Sequence, residues 1–278
     1  MHKHLLHAVL PIAKLVLFLF CVLLFALPVG LIQQIPFVKG LPTEHSIVFL
    51  EFFLIFSVFG ALFLLTKIFY PITFHDFFIT KKGAFSGLLK GTVIGVIIMT
   101  ICVMLMALTG NASFMMGSIN IGLFFFYILY FLIVALFEEL FFRTYALFVL
   151  AETYPLTVSV LINGVLFGLL HTGNAGFTWL AMLNISLAGI LFSMVTLYHR
   201  NISWAIGIHL GWNFAQGVLF GFNVSGNKTT GLLNTKPIGP RHLSGGEFGI
   251  EGSVICTMVM MLIISYFFMK HKIEPIGI

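Results

Sequence analysis

INIGLFFFYILYFLIVALFEELFFRTYALFVL, residues 119–150, is the stretch that decides how the rest of the chain is read. A membrane-spanning helix needs roughly 20 mainly apolar residues, and this run is far longer. Wholly helical, it would reach about 48 Å at 1.5 Å per residue, so it must tilt, break or project beyond the hydrocarbon. Near its end stand two adjacent glutamates and an arginine. Ionisable groups inside such a run cost a few kcal/mol or more unless paired or hydrated, which makes them candidates for function.

Working outward, seven further apolar segments lie near 9–32, 46–66, 84–108, 156–172, 178–198, 202–222 and 251–269. The expected fold class is therefore all-α, a polytopic membrane helical bundle of about eight transmembrane helices, forming a single integral-membrane domain over 1–278. Composition agrees. Of the 278 residues 60% are hydrophobic and only 8% charged, against about 25% charged in a soluble domain. The basic start and the apolar run to about residue 32 predict a first spanning helix rather than a cleaved signal peptide. The terminal EPIGI carries no prenylation box. Cys21, Cys102 and Cys256 each fall inside an apolar run with no paired spacing, so neither a disulfide framework nor a zinc site is expected from them.

The net charge of +5 belongs to orientation in the lipid bilayer rather than to nucleic acid, because the cations lie mostly between apolar runs. Lys3 and Lys14 flank the first segment. Lys67, Lys81, Lys82 and Lys90 flank the second connection, Arg200 marks the sixth, and Lys270 and Lys272 follow the last segment. The third and fifth connections carry none. The positive-inside rule then predicts that both termini are cytoplasmic. The seventh connection, about 223–250, holds Lys228, Lys236 and Arg241 on the expected outer side, and long loops obey the rule less well. It is rich in Gly, Asn and Thr and reads as a surface loop. Lysines outnumber arginines, eleven to three.

Three motifs carry chemistry. In EELFFR, 138–143, Glu139 and Arg143 are four apart and share a helical face, where they can pair. Glu138 is rotated about 100° away and faces something else. In FGLLH, 167–171, Phe167 and His171 share a face, with Asn163 and Asn174 nearby. In HLGWN, 209–213, His209 and Asn213 do the same; interhelical hydrogen bonding is the plainer role for such a pair. A fourth stretch, GGEFGIEGS at 245–253, reads as a turn-rich loop that leaves Glu247 and Glu251 at the outer interface.

Depth tests whether the three motifs can meet. With the long run entering the cytoplasm near 146–150, Glu138 is roughly 12–18 Å deep; His209, counted from Ile202, is roughly 11 Å deep. His171, counted from Leu156, is roughly 23 Å deep. The last value is out of step and requires a late-starting or tilted fifth helix.

In this order and on separate spans, the motifs resemble those of the CAAX prenyl protease and bacteriocin-processing family of intramembrane glutamate peptidases. The family pattern of Glu-Glu-x-x-x-Arg, Phe-x-x-x-His and His-x-x-x-Asn is met by Glu138, Glu139 and Arg143, by Phe167 and His171, and by His209 and Asn213. GGEFGIEGS also resembles the last connection of bacterial members, which together with the excess of Lys over Arg implies a bacterial plasma membrane. The resemblance covers about 119–260.

It implies an endopeptidase acting on a peptide or membrane-protein substrate, with no cofactor and no essential metal. Its catalytic residues would be Glu138, His171, His209 and Asn213, supported by Glu139 and Arg143. The chemistry fits: a carboxylate withdrawn from bulk water becomes a stronger base toward water, and His and Asn donors can stabilise an oxyanion. Two other classes stay open. A zinc peptidase would also use Glu and His, although no HExxH is present. A transporter, immunity protein or scaffold could use the same polar pocket for binding alone.

Overall fold

The computed structural model describes residues 2–69 and 71–276, leaving out the side chains of residues 2–8 and 43. The side chain of Lys3 and the last two residues of EPIGI thus lie outside the described residues. The chain runs through α1 (His2–Ile32), α2 (Pro36–Lys39), α3 (Thr43–Ile68), α4 (Ala84–Leu108), β1 (Ala112–Met116) and α5 (Ile121–Phe141). It continues through α6 (Leu147–Thr153), α7 (Leu156–Leu169), α8 (Trp179–His199), α9 (Ser203–Phe214), β2 (Leu233–Pro237), α10 (Arg241–Ser244) and α11 (Val254–Lys270). It is an all-α membrane bundle, with one short antiparallel ribbon that pairs Ala112 with Pro237 and Met116 with Leu233.

All eight expected apolar segments are helical, but they are not equal. Five are long and apolar enough to cross a membrane: Val9–Ile32, Glu44–Ile68, Ala84–Leu108, Ile121–Thr153 and Trp179–His199. The segments at 156–172, 202–222 and 251–269 contain the shorter helices α7, α9 and α11. The reason is local. α7 stops at a turn containing Gly173 and Gly176, the latter with φ of 72°, and α9 runs into a π-helical turn, Ala215–Leu219.

The long run 119–150 is broken, one of the three outcomes that its length allows. α5 passes through a π-helical turn, Phe142–Ala146, into α6, and Thr144 holds the non-helical φ −96°, ψ −113°. The Thr144 hydroxyl bonds the Leu140 carbonyl. Helix starts are set by side chains that accept an otherwise orphaned N–H. Asn120 accepts from Leu123 N, Thr178 from Ala181 N and Ser253 from Cys256 N, at 2.9, 3.0 and 3.2 Å.

α8 is the central helix, 83% buried over its most apolar window. Outer faces of α1, α3 and α4 expose large apolar side chains such as Phe20, Phe56 and Ile97, as lipid-facing surfaces do. α4 and α9 touch backbone to backbone. Gly91 of α4 faces Gly207 of α9, Gly95 lies against the backbone of Ile208 and Trp212, and Gly211 lies against that of Thr92; a Cβ on Gly91 would lie 2.5 Å from the Trp204 carbonyl. Small residues four apart let membrane helices approach this closely. The effect is to fix α9, the helix that carries His209 and Asn213.

Candidate active site

Glu138 and Glu139, adjacent on α5, point to different partners, as their 100° separation requires. Glu139 is completely buried and lies 3.1 Å from Arg143 Nε, also completely buried. Arg143 Nη1 donates to Asn163 Oδ1 at 3.0 Å, and its guanidinium sits 4.7 Å from the Phe167 ring centre. Asn163 in turn donates to the Phe142 carbonyl and accepts from Ser193 Oγ, at 2.9 and 3.0 Å. The expected pair thus forms, and Asn163 supports it from α7.

The structure adds a bond that helical spacing does not give. His209 Nδ1 lies 2.9 Å from Glu139 Oε1, and the His209 ring stacks on Phe192 at 5.3 Å. A carboxylate only accepts, so His209 Nδ1 carries the proton. His171 Nδ1 lies 2.8 Å from the Phe167 carbonyl, which likewise only accepts. Both rings are therefore oriented by their Nδ1 atoms and present Nε2 outward. Each Nε2 is 3.9 Å from the same oxygen, Glu138 Oε2. That spacing is too long for a hydrogen bond and suits a bridging water.

Glu138, His171, His209 and Asn213 all line one cavity of about 410 Å³. The depth misfit of His171 disappears because the long run ends later than 146–150. Glu138 lies 15 residues before Thr153 (153 − 138), and His171 lies 15 residues after Leu156 (171 − 156). The antiparallel helices joined at 154–155 therefore bring them level. His209 is only six residues from Ser203 (209 − 203), yet α9 starts inside the fold. Its first turn is covered by residues 71–83, where Ile202 N donates to Phe78 O and Asn201 Nδ2 to Lys82 O, both at 3.1 Å.

One residue was misjudged from sequence and a second went unread. Glu251 is not at an outer interface; it is 2% exposed. Its Oε1 accepts from Trp212 Nε1 at 3.1 Å, and its Oε2 from Gln216 Nε2, Ser225 N and Ser225 Oγ at 3.0, 2.7 and 3.1 Å. The 223–250 loop is accordingly not a free surface loop. It is pinned by Glu251 and by Asn174 Nδ2, which donates to Ser225 O at 2.8 Å, and Ser225 and Asn227 line the cavity. Glu251 and Ser225 join His171, His209 and Asn213 around a second, much smaller niche. The buried donors Trp212 and Gln216, four apart on one face, were the available signal.

The second is Glu51 on α3, for which no reading was made from the sequence. It lines the same cavity as Glu138, and its Oε2 is buried without a hydrogen-bond partner. A lone carboxylate in the apolar run 46–66 was the signal. Among the described residues, no three His, Cys, Asp or Glu side chains converge as a metal site would require.

Fold and site define a class: a polytopic helical membrane protein with a glutamate–histidine cluster facing a buried cavity. Residues 120–215 match the family model described as "Type II CAAX prenyl endopeptidase Rce1-like". This is the family that the three motifs resemble, a family of proteases, and the matched region runs from the cap of α5 to the end of α9. No curated protein and no solved structure matched the chain.

Proposed function

We propose that the protein is an intramembrane endopeptidase that hydrolyses a peptide bond with a water molecule activated by Glu138. The observation that carries this reading is the placement of one Glu138 oxygen 3.9 Å from both His171 Nε2 and His209 Nε2. A water held there can donate to Glu138 and to His171 Nε2, at the wall of a cavity of about 410 Å³.

In this reading Glu138 takes one proton from the water as its oxygen attacks the scissile carbonyl carbon. The carbonyl π electrons move to oxygen. His209, protonated at both nitrogens, and the Asn213 amide donate to that oxyanion. When the tetrahedral intermediate collapses, the C–N bond breaks and Glu138 returns the proton to the leaving amine. His171, with Nδ1 committed to the Phe167 carbonyl, accepts from the water at Nε2 and orients it. Glu139 and Arg143 act through His209: the ion pair holds the carboxylate that fixes the ring.

The cavity lies between helices within the bundle, so a substrate that is itself membrane-associated reaches it without a soluble domain. Comparative peptidomics of cells carrying the wild type and Glu138→Gln tests the reading. Cleaved peptides should be present with the first and missing with the second. Identical peptide profiles would overturn it.

A further inference from the structure

The cavity has a second carboxylate whose place the proposed hydrolysis does not explain. Glu51 comes from α3, on the wall formed with Ile47, Tyr130, Phe131 and Val134. Its Oε2 is shut off from solvent and accepts no hydrogen bond. Glu138 Oε2 likewise accepts no hydrogen bond, but two imidazoles face it at 3.9 Å; Glu139 is engaged by Arg143 and His209, and Glu251 by Trp212, Gln216 and Ser225. Among the described residues, no lysine or arginine lines the cavity. A carboxylate left without donors in an apolar wall is costly; the acid escapes that cost by holding a proton, or by giving it up to pair with a cation that a ligand brings. Aromatic side chains beside it, Tyr130 and Phe131, are also favourable neighbours for a cation.

We infer that Glu51 forms a cation-recognition subsite, so that the preferred substrate carries a lysine or arginine side chain, or a free amino group, at a fixed distance from the bond cleaved at Glu138. This rests on the peptidase reading for its catalytic consequence, but not for the binding itself. It separates the labour of the two acids. Glu138 faces the imidazoles that orient water, while Glu51 faces the donor-poor wall where a substrate side chain ends.

The test uses the full-length protein in lipid nanodiscs and a synthetic peptide set in which Lys, Gln or Glu is scanned along one sequence. Cleavage is read by mass spectrometry, and binding by anisotropy of the labelled peptides. In the wild type, Lys at one position should be favoured over Gln at least about tenfold in kcat/KM, the scale of a desolvated charge pair. In Glu51→Gln that ratio should fall to about one, and in Glu51→Lys the preference should turn to Glu peptides. An unchanged Lys-to-Gln ratio in Glu51→Gln overturns the subsite. If the wild type cleaves none of the peptides, the hydrolase reading loses its support and binding decides this one. Lys peptides binding at least about tenfold more tightly to the wild type than to Glu51→Gln uphold the subsite, and equal affinities overturn it. If Glu51→Lys does not fold, Glu51→Gln alone carries the comparison.

Discussion

Glu139 Oε1 lies 2.9 Å from His209 Nδ1 while Glu139 Oε2 lies 3.1 Å from Arg143 Nε. One buried carboxylate therefore joins an arginine one turn along its own helix to a histidine on a helix seventy residues later. The first contact follows from helical spacing, the second only from packing. Together they explain why the side chain next to the proposed base is not itself free to act as one.

Glu139→Gln and Arg143→Ala should each destabilise the protein by about 3–5 kcal/mol, because each leaves a charge buried without its partner. Both should also lower activity through the loss of His209 orientation. Thermal unfolding of the purified variants in detergent, followed by retention on size exclusion, measures the first effect. Midpoints equal to the wild type would show that the pair is not needed for the fold.

Glu251→Gln should loosen the 223–250 loop. The substitution turns one of the two oxygens into a donor that faces the donors Trp212, Gln216 or Ser225. An unsatisfied buried polar group costs about 1–3 kcal/mol. Limited proteolysis should cut the loop faster in the variant than in the wild type. Equal rates would mean that the β1–β2 ribbon and the Asn174 contact hold it without Glu251.

Much of this arrangement was legible in the sequence. Apolar run length placed all eight helical segments, and the offset of Glu138 from Glu139 placed one acid toward Arg143 and the other toward the cavity. What was not legible depends on three-dimensional approach. Glu138 was placed too shallow, and His171 therefore out of step with it, because the end of the 119–150 run has no polar marker until Glu152 and the helix continues to Thr153. The role of Glu251 was missed because its donors, Trp212, Gln216 and Ser225, come from outside its own segment. The glycines at 87, 91 and 95 lie scattered in an apolar run, and their purpose emerges only against α9, which packs on them from Ser203 to Trp212.

Both termini are expected on the cytoplasmic side, from the alternation of Lys and Arg across the connections. Reporter fusions at the N-terminus and after Lys272 should report the same, inner compartment. A fusion after Lys272 that reports the outside, with the N-terminus inside, would contradict the assignment.

The most direct test of the central claim is the turnover of a cleaved peptide by purified Glu138→Gln in lipid nanodiscs. Glutamine keeps the size of the side chain and removes the base, so unfolding should be unchanged within about 0.5 kcal/mol, the range of a substitution that breaks no packing or hydrogen bond. Glu138 Oε2 has no hydrogen-bond partner to lose. The account predicts a folded protein with kcat lowered at least 10²-fold, the scale of a lost general base (about 10²–10⁴-fold), whether or not a chelator is present. A folded Glu138→Gln protein that cleaves the peptide at the wild-type rate would contradict it.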